Sequence, residues 1–252
     1  MVKSTVPIAI VSVLALWGGA AGRATEAARV DPITPHKIAV SACNGEIQGT
    51  KYTYRGPRFT TVRLTMADAS ALVSFNGVLL APRGWQCDLT GGSDGDYLEA
   101  YNPRSGFFLS MSAIGTYEPE EAVSDYFATP GTHALVQACP FFSLAARQLK
   151  QTGLGGCATS PDPPIGERRT QVNPDEVDFA DPPGIHEATG NPSGGRNSAI
   201  GTELFDLHYD KAGSATQNAA TATCTLAPAR RHYCAAVLRN VRGQFQASLK
   251  TR

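Results

Sequence analysis

Six cysteines, Cys43, Cys87, Cys139, Cys157, Cys224 and Cys234, are spread along a chain of 252 residues, and all follow an N-terminal export signature. An even count in an exported chain reads as a disulfide framework. Such bridges join distant segments and restrict the unfolded chain, contributing ~2–4 kcal/mol each. Six cysteines can pair in many ways, and spacing alone does not select one. Pairing in chain order, Cys43–Cys87, Cys139–Cys157 and Cys224–Cys234, is the simplest arrangement, and Cys224–Cys234 closes the shortest loop. A zinc site would want C-x-x-C or Cys/His pairs at ligand spacing. His232-x-Cys234 is only a single pair.

The export signature is local. Met1-Val2-Lys3 is a short basic start, and Val6 to Trp17 is apolar. That run has the length of a signal-peptide core and is too short for a membrane span. Small residues follow at Gly18-Gly19-Ala20-Ala21-Gly22, with cleavage placed after Gly22 or Ala24. Residues 1–24 therefore read as a signal peptide, and the mature protein as secreted or periplasmic, without membrane insertion. Residues 25–36 read as a polar, poorly ordered lead-in. Residues 37–252 read as one domain, long enough to bury roughly 70% of its unfolded surface.

Charge excludes some partners. Lys and Arg number 22, Asp and Glu 22. Without residues 1–24 the balance is 20 basic to 22 acidic. No overall basic surplus marks the chain as a nucleic-acid binder.

Runs rich in Val, Thr, Ile and Leu predict strands at Lys37–Ala42, Phe59–Thr65, Ala71–Leu80, Asp96–Tyr101, Phe107–Ile114, Glu203–Tyr209 and Thr221–Leu226. Helical spacing predicts three helices. The first opens at Glu118-Pro119-Glu120-Glu121, carries Val123, Tyr126 and Phe127 on one stripe, and stops at Pro130-Gly131. The others span Pro140–Gln151 and Pro228–Val241. Between Gly153 and Gly201, 49 residues hold 7 prolines and 9 glycines, which predicts a long irregular loop. The sum is an α+β fold, β-rich in its first half, with two to three helices, stapled by disulfides.

Candidate chemistry gathers in Gly84–Glu99. Gly91-Gly92-Ser93-Asp94-Gly95 fits G-x-S-x-G, where a strand enters and a helix leaves the nucleophile. Here the segment after Gly95 alternates and ends at Pro103, which suits a strand. A Ser93 triad would draw on His133, His186, His208 or His232. Asp88, Asp96 and Glu99 fit some positions of a calcium loop, and Asp94 with Asp96 would suit a looser cage. The favoured reading is a hairpin turn rich in Gly, Ser and Asp, with Trp85 packed beneath it.

Three weaker candidates lie elsewhere. Ser193 and Arg196, in a Gly-rich stretch, could cradle an anion, with a proline-stiffened surface loop as the favoured reading. Asp206, His208 and Asp210 alternate onto one strand face, a pattern that fits a metal but is more often plain solvent-facing strand. Cys139 precedes a helix start, where a thiolate would be stabilised, but an oxidising compartment favours a disulfide.

Ala81-Pro82-Arg83-Gly84-Trp85-Gln86-Cys87 with its Gly-Ser-Asp-Gly turn resembles segments of a group of exported bacterial proteins of unknown function. So do Ala138-Cys139-Pro140, Asp181-Pro182-Pro183-Gly184, Pro192-Ser193-Gly194-Gly195, and Cys224-Thr225-Leu226-Ala227-Pro228 with Cys234. The resemblance implies export and one disulfide-bonded domain, and it carries over no catalytic residue. The expected function is a non-enzymatic binding or envelope-associated module for an unknown ligand or envelope component. No cofactor, catalytic set or metal centre is assigned. The alternatives are a secreted serine hydrolase using Ser93 with His208 or His232, and a calcium-stabilised adhesin-like module.

Overall fold

The computed structural model describes residues 34–47, 49–51, 53–64, 69–73, 77–93, 95–102, 121–153, 155–157, 166–183, 197–209 and 211–250. The strands in chain order are β1 (Thr34–Ala42), β2 (Asn44–Ile47), β3 (Thr50–Lys51), β4 (Phe59–Leu64), β5 (Ala69–Val73), β6 (Val78–Pro82), β7 (Gln86–Gly92), β8 (Gly95–Tyr101) and β9 (Ala122–Ala128), followed by β10 (Arg168–Asn173), β11 (Glu176–Asp181), β12 (Ala199–Tyr209) and β13 (Ala215–Thr225). The helices are α1 (Thr132–Ala138) and α2 (Ser143–Thr152), between β9 and β10, and α3 (His232–Lys250), which follows a 3-10 turn at Pro228–Arg230.

The long hairpin β12–β13 organises the larger sheet. Its eleven residue pairs run from Ala199↔Thr225 to Tyr209↔Ala215. The nine-stranded order is β10-β11-β12-β13-β9-β8-β7-β2-β3, and a smaller sheet runs β4-β1-β5-β6. Directly opposed residues share a face and successive residues alternate. Strand β13 therefore shows Ala220, Ala222 and Cys224 on one face and Thr221, Thr223 and Thr225 on the other.

Helix α3 covers the first face. Its Leu238, Val241 and Phe245 pack on Leu204, Ala220 and Ala222. Its Val237 and Cys234 join Leu79, Leu80, Leu89, Leu98 and Val123 in the largest core. The β6 edge is clipped to α3: Val78 N–H donates to Gln244 Oε1 at 2.5 Å, and Gln244 Nε2 donates to Val78 O at 2.7 Å. Helices α1 and α2 pack on the second face, where Leu135, Phe142 and Leu149 meet Val177, Phe205 and Ala219.

The three cysteine pairs follow chain order: Cys43–Cys87, Cys139–Cys157 and Cys224–Cys234. Each joins separate elements. The first ties the β1–β2 junction to β7. The second ties the end of α1 to the chain after α2. The third ties β13 to the first turn of α3.

Several expectations need correction. The helix read from Glu118 is not formed: Ala122–Ala128 is β9, paired with β8 on one side and β13 on the other. Its apolar stripe is that of a strand buried on both faces, which helical spacing imitates over six or so residues. Pro130-Gly131 leads into α1 rather than ending a helix, with Gly131 at the N-cap at φ 104°. Ala71–Leu80 is not one strand: β5 and β6 pair antiparallel, with Val73 opposite Val78. The 153–201 stretch carries β10, β11 and the start of β12. Their pairing with neighbours outweighs a Pro/Gly-rich composition. Thr34–His36 belongs to β1 instead of a disordered lead-in. Residues 1–33 and Phe107–Ile114 lie outside the described residues.

Gly201 shows how tightly the second face is packed. It lies opposite Phe179, and a Cβ there would sit 2.0 Å from Phe179 Cζ. Gly201→Ala is expected to cost about 1–3 kcal/mol by overpacking, read as a lower denaturation midpoint in urea. Intact-mass analysis under alkylating conditions should find no free thiol. Cys224→Ala with Cys234→Ala should lower stability by ~2–4 kcal/mol.

Candidate functional site

The Gly91–Gly95 motif is a turn. Gly92 pairs with Gly95, which puts Ser93 in the turn between β7 and β8. Ser93 is exposed, and Asp94 lies outside the described residues. A strand, β8, leaves the motif where a hydrolase elbow needs a helix. Gly95 has φ 140°, and a Cβ on it would meet Phe127 O of β9 at 2.2 Å. The second glycine of the motif is thus required by strand pairing.

The histidines are distributed around the sheet. His208 lies on β12, three strand spacings or ~14 Å from β8. His232 adjoins Cys234, whose partner Cys224 aligns with Ala100, five residues along β8 from Gly95 and ~17 Å away. His133, in the first turn of α1, stands at the same end of the sheet as Ser93. His186 lies outside the described residues.

The proposed calcium ligands separate. Asp88 and Glu99 oppose each other on the second face, and Asp96 alternates to the first. A flat hairpin cannot wrap them around one ion. Tyr101 donates to Asp88, whose carboxyl is raised above its ordinary value by burial, partly offset by that hydrogen bond. Among the described residues, no group of three or more His, Cys, Asp or Glu is placed to hold a metal. Asp206 and His208 do meet, with His208 Nδ1 2.8 Å from Asp206 Oδ2. Asn218 Nδ2 also donates to Asp206, at 3.3 Å. Asp210, Ser193 and Arg196 lie outside the described residues. Trp85 is half-buried against the core that holds Leu89 and Leu98, but it precedes β7 at the end of the hairpin opposite the Ser93 turn and so does not pack beneath that turn.

Pattern reading missed the buried carboxyls. Asp125 sits between Leu98 and Ala222 in register, beneath α3, and neither of its oxygens meets a donor. Burial, then the charge of Asp96, holds it well above the ordinary carboxylate range. A second pair closes the β10–β11 hairpin. Neither oxygen of Asp181 meets an N–H or hydroxyl donor. Glu167 is the carboxyl whose charge acts on it, and its own Oε2 is likewise buried without a donor. Burial first, then the charge and hydrogen bond of Glu167, raises Asp181 to about 7, against the pull of Arg169. Arg169 anchors the other side of the pair. Its Nε donates to Glu167 Oε1, its Nη1 donates to Pro140 O at 2.8 Å, and its guanidinium lies 4.6 Å from the Phe141 ring centre. This cluster can hold or release one proton near neutrality. Glu167 and Asp181 sit 14 residues apart, and only a closed hairpin makes them neighbours.

The fold and its chemistry define a β-rich domain with three helices and three disulfides among the described residues, and no helix there is long and apolar enough to cross a membrane. No protein family, curated protein or solved structure matches the chain.

The raised Asp181 carboxyl gives a pH signature. Asp181 has a folded value near 7 against an ordinary 3.8, so the folded state binds more protons between those values. Its favourable contribution is complete at acid pH and declines as pH rises from about 4 to about 7. Asp181→Asn should flatten that decline and raise Tm at pH 8 by about 2–4 °C, the worth of ~1 kcal/mol at this size. Thermal melts from pH 4 to pH 8 measure it.

Proposed function

We propose that the protein is an exported binding module, associated with the envelope or its surroundings, and that it performs no chemistry of its own. One observation carries this reading. Strand β1 contributes little to the core: of its nine residues, only Ile38 is buried. A strand that the fold hardly uses for packing is available for recognition. The six cysteines, paired within the domain, fit a scaffold that must persist in an oxidising compartment. The Ser93 turn supports the same reading, because its glycines serve strand pairing. The expected localisation is secreted or periplasmic.

A fluorophosphonate probe tests the reading against a serine hydrolase. No labelling of Ser93 is expected. Labelling that disappears in Ser93→Ala would overturn the proposal. A chelator tests the calcium-stabilised alternative: Tm should move by less than about 1 °C with EDTA, since a ligand at a hundredfold its Kd would add ~2.7 kcal/mol.

A further inference from the structure

The near-zero net charge conceals a segregation. Residues 34–64 contain Lys37, Lys51, Arg55, Arg58 and Arg63 against Glu46 alone. From residue 65 onward, 14 basic residues face 19 acidic ones. The basic segment comprises β1 to β4, and it includes β1, of which only Ile38 is buried. Lys37, Lys51, Arg55 and Arg58 are all exposed.

Aromatic surface accompanies the charge. Phe59 is 53% exposed at the start of β4, the outermost strand of the smaller sheet. Lys37 Nζ lies 4.9 Å from its ring centre, so Lys37 and Phe59 form one surface across β1 and β4. The loop before β4 holds Arg55 and Arg58. It is tied down by Val40 N–H donating to Arg58 O at 2.9 Å and by Tyr54 OH donating to Pro57 O at 3.2 Å. Aromatic faces beside cations, on a pre-shaped loop, suit a partner with flat rings and spaced negative charges.

Resting on the binding-module reading, we propose that the Lys37–Phe59 surface of β1 and β4, with Arg55 and Arg58, binds an anionic polysaccharide. Sugar rings stack on the aromatic face, and their carboxylates pair with the guanidinium and ammonium groups. Charge complementarity favours this occupant over a duplex. Double-stranded nucleic acid carries a negative charge every ~1.7 Å and is typically held by ~6–10 phosphate contacts. Four exposed cations on a chain otherwise in acidic surplus suit a sparser polymer.

Affinity electrophoresis in gels containing polygalacturonate, with the full mature chain, tests the proposal. Retardation is expected, weakening at least about tenfold between 50 and 300 mM salt as ion pairs are screened. Lys37→Glu with Arg58→Glu should weaken it about tenfold or more, and Phe59→Ser about fivefold, given ~0.5–1 kcal/mol for each exposed contact. These side chains are exposed, so Tm should not change. Lys150→Glu, on α2 away from this surface, should leave retardation intact. Absence of retardation, equal loss in Lys150→Glu, or tighter binding to duplex DNA or to anionic lipid vesicles would overturn the proposal. None of those outcomes bears on Ser93 labelling, so the two proposals fail separately.

Discussion

Everything in the larger sheet depends on how closely β13 lets its neighbours approach. Its central residues are Ala219, Ala220, Thr221, Ala222, Thr223 and Cys224, all buried. Small side chains on one face allow α3 to lie near the backbone, and the hydroxyls alternate to the other. A bulky residue at Ala220 or Ala222 would lift α3 and uncover Leu204, Val241 and Phe245 together. The Cys224–Cys234 bridge acts at the same place. It ties β13 to α3 where Leu226, Tyr233 and Val237 close the core.

Polar groups in this interior are held in different ways. Glu121 is fully supported: Asn102 Nδ2, Ala227 N–H and Arg230 all donate to it, and these bonds hold its carboxyl below the ordinary value despite burial. It locks β9 to the turn before α3. Arg242 spans Glu176 and Asp178 and clamps α3 to β11. Asp125 and Asp181 have no such donors, and burying a bare carboxylate costs several kcal/mol, so each is held toward its protonated form. Asp181 ends β11 across from Glu167, which precedes β10, so the charge of one carboxyl raises the other.

Local chemistry was legible where it was strong. The turn at Ser93 and the helix after Cys139 stand close to where their residue types place them, whereas the helix read as Pro228–Val241 begins at His232, after a 3-10 turn, and runs on to Lys250. Periodicity failed at Val123, Tyr126 and Phe127, because a short strand buried on both faces carries no alternation. It failed at 168–181 because Pro174, Pro182 and Pro183 flank strands rather than interrupt them. The carboxyl pairs were invisible for another reason: Glu167 and Asp181, like Asp96 and Asp125, become neighbours only through register. The basic surface escaped a whole-chain charge count, which averages β1–β4 with an acidic remainder.

The amino-acid order alone determined the even cysteine count and the turn that holds Ser93. These depend on short-range facts: which residue types are present, and glycines that reach positive φ at a turn. Tertiary structure alone decided that 122–128 is a central strand, that Asp88 and Asp96 face opposite sides of a hairpin, and that Lys37 meets Phe59. Each of these depends on which strands pair and in what register. Register is chosen by the burial of whole faces, a property of the assembled sheet that no single segment carries.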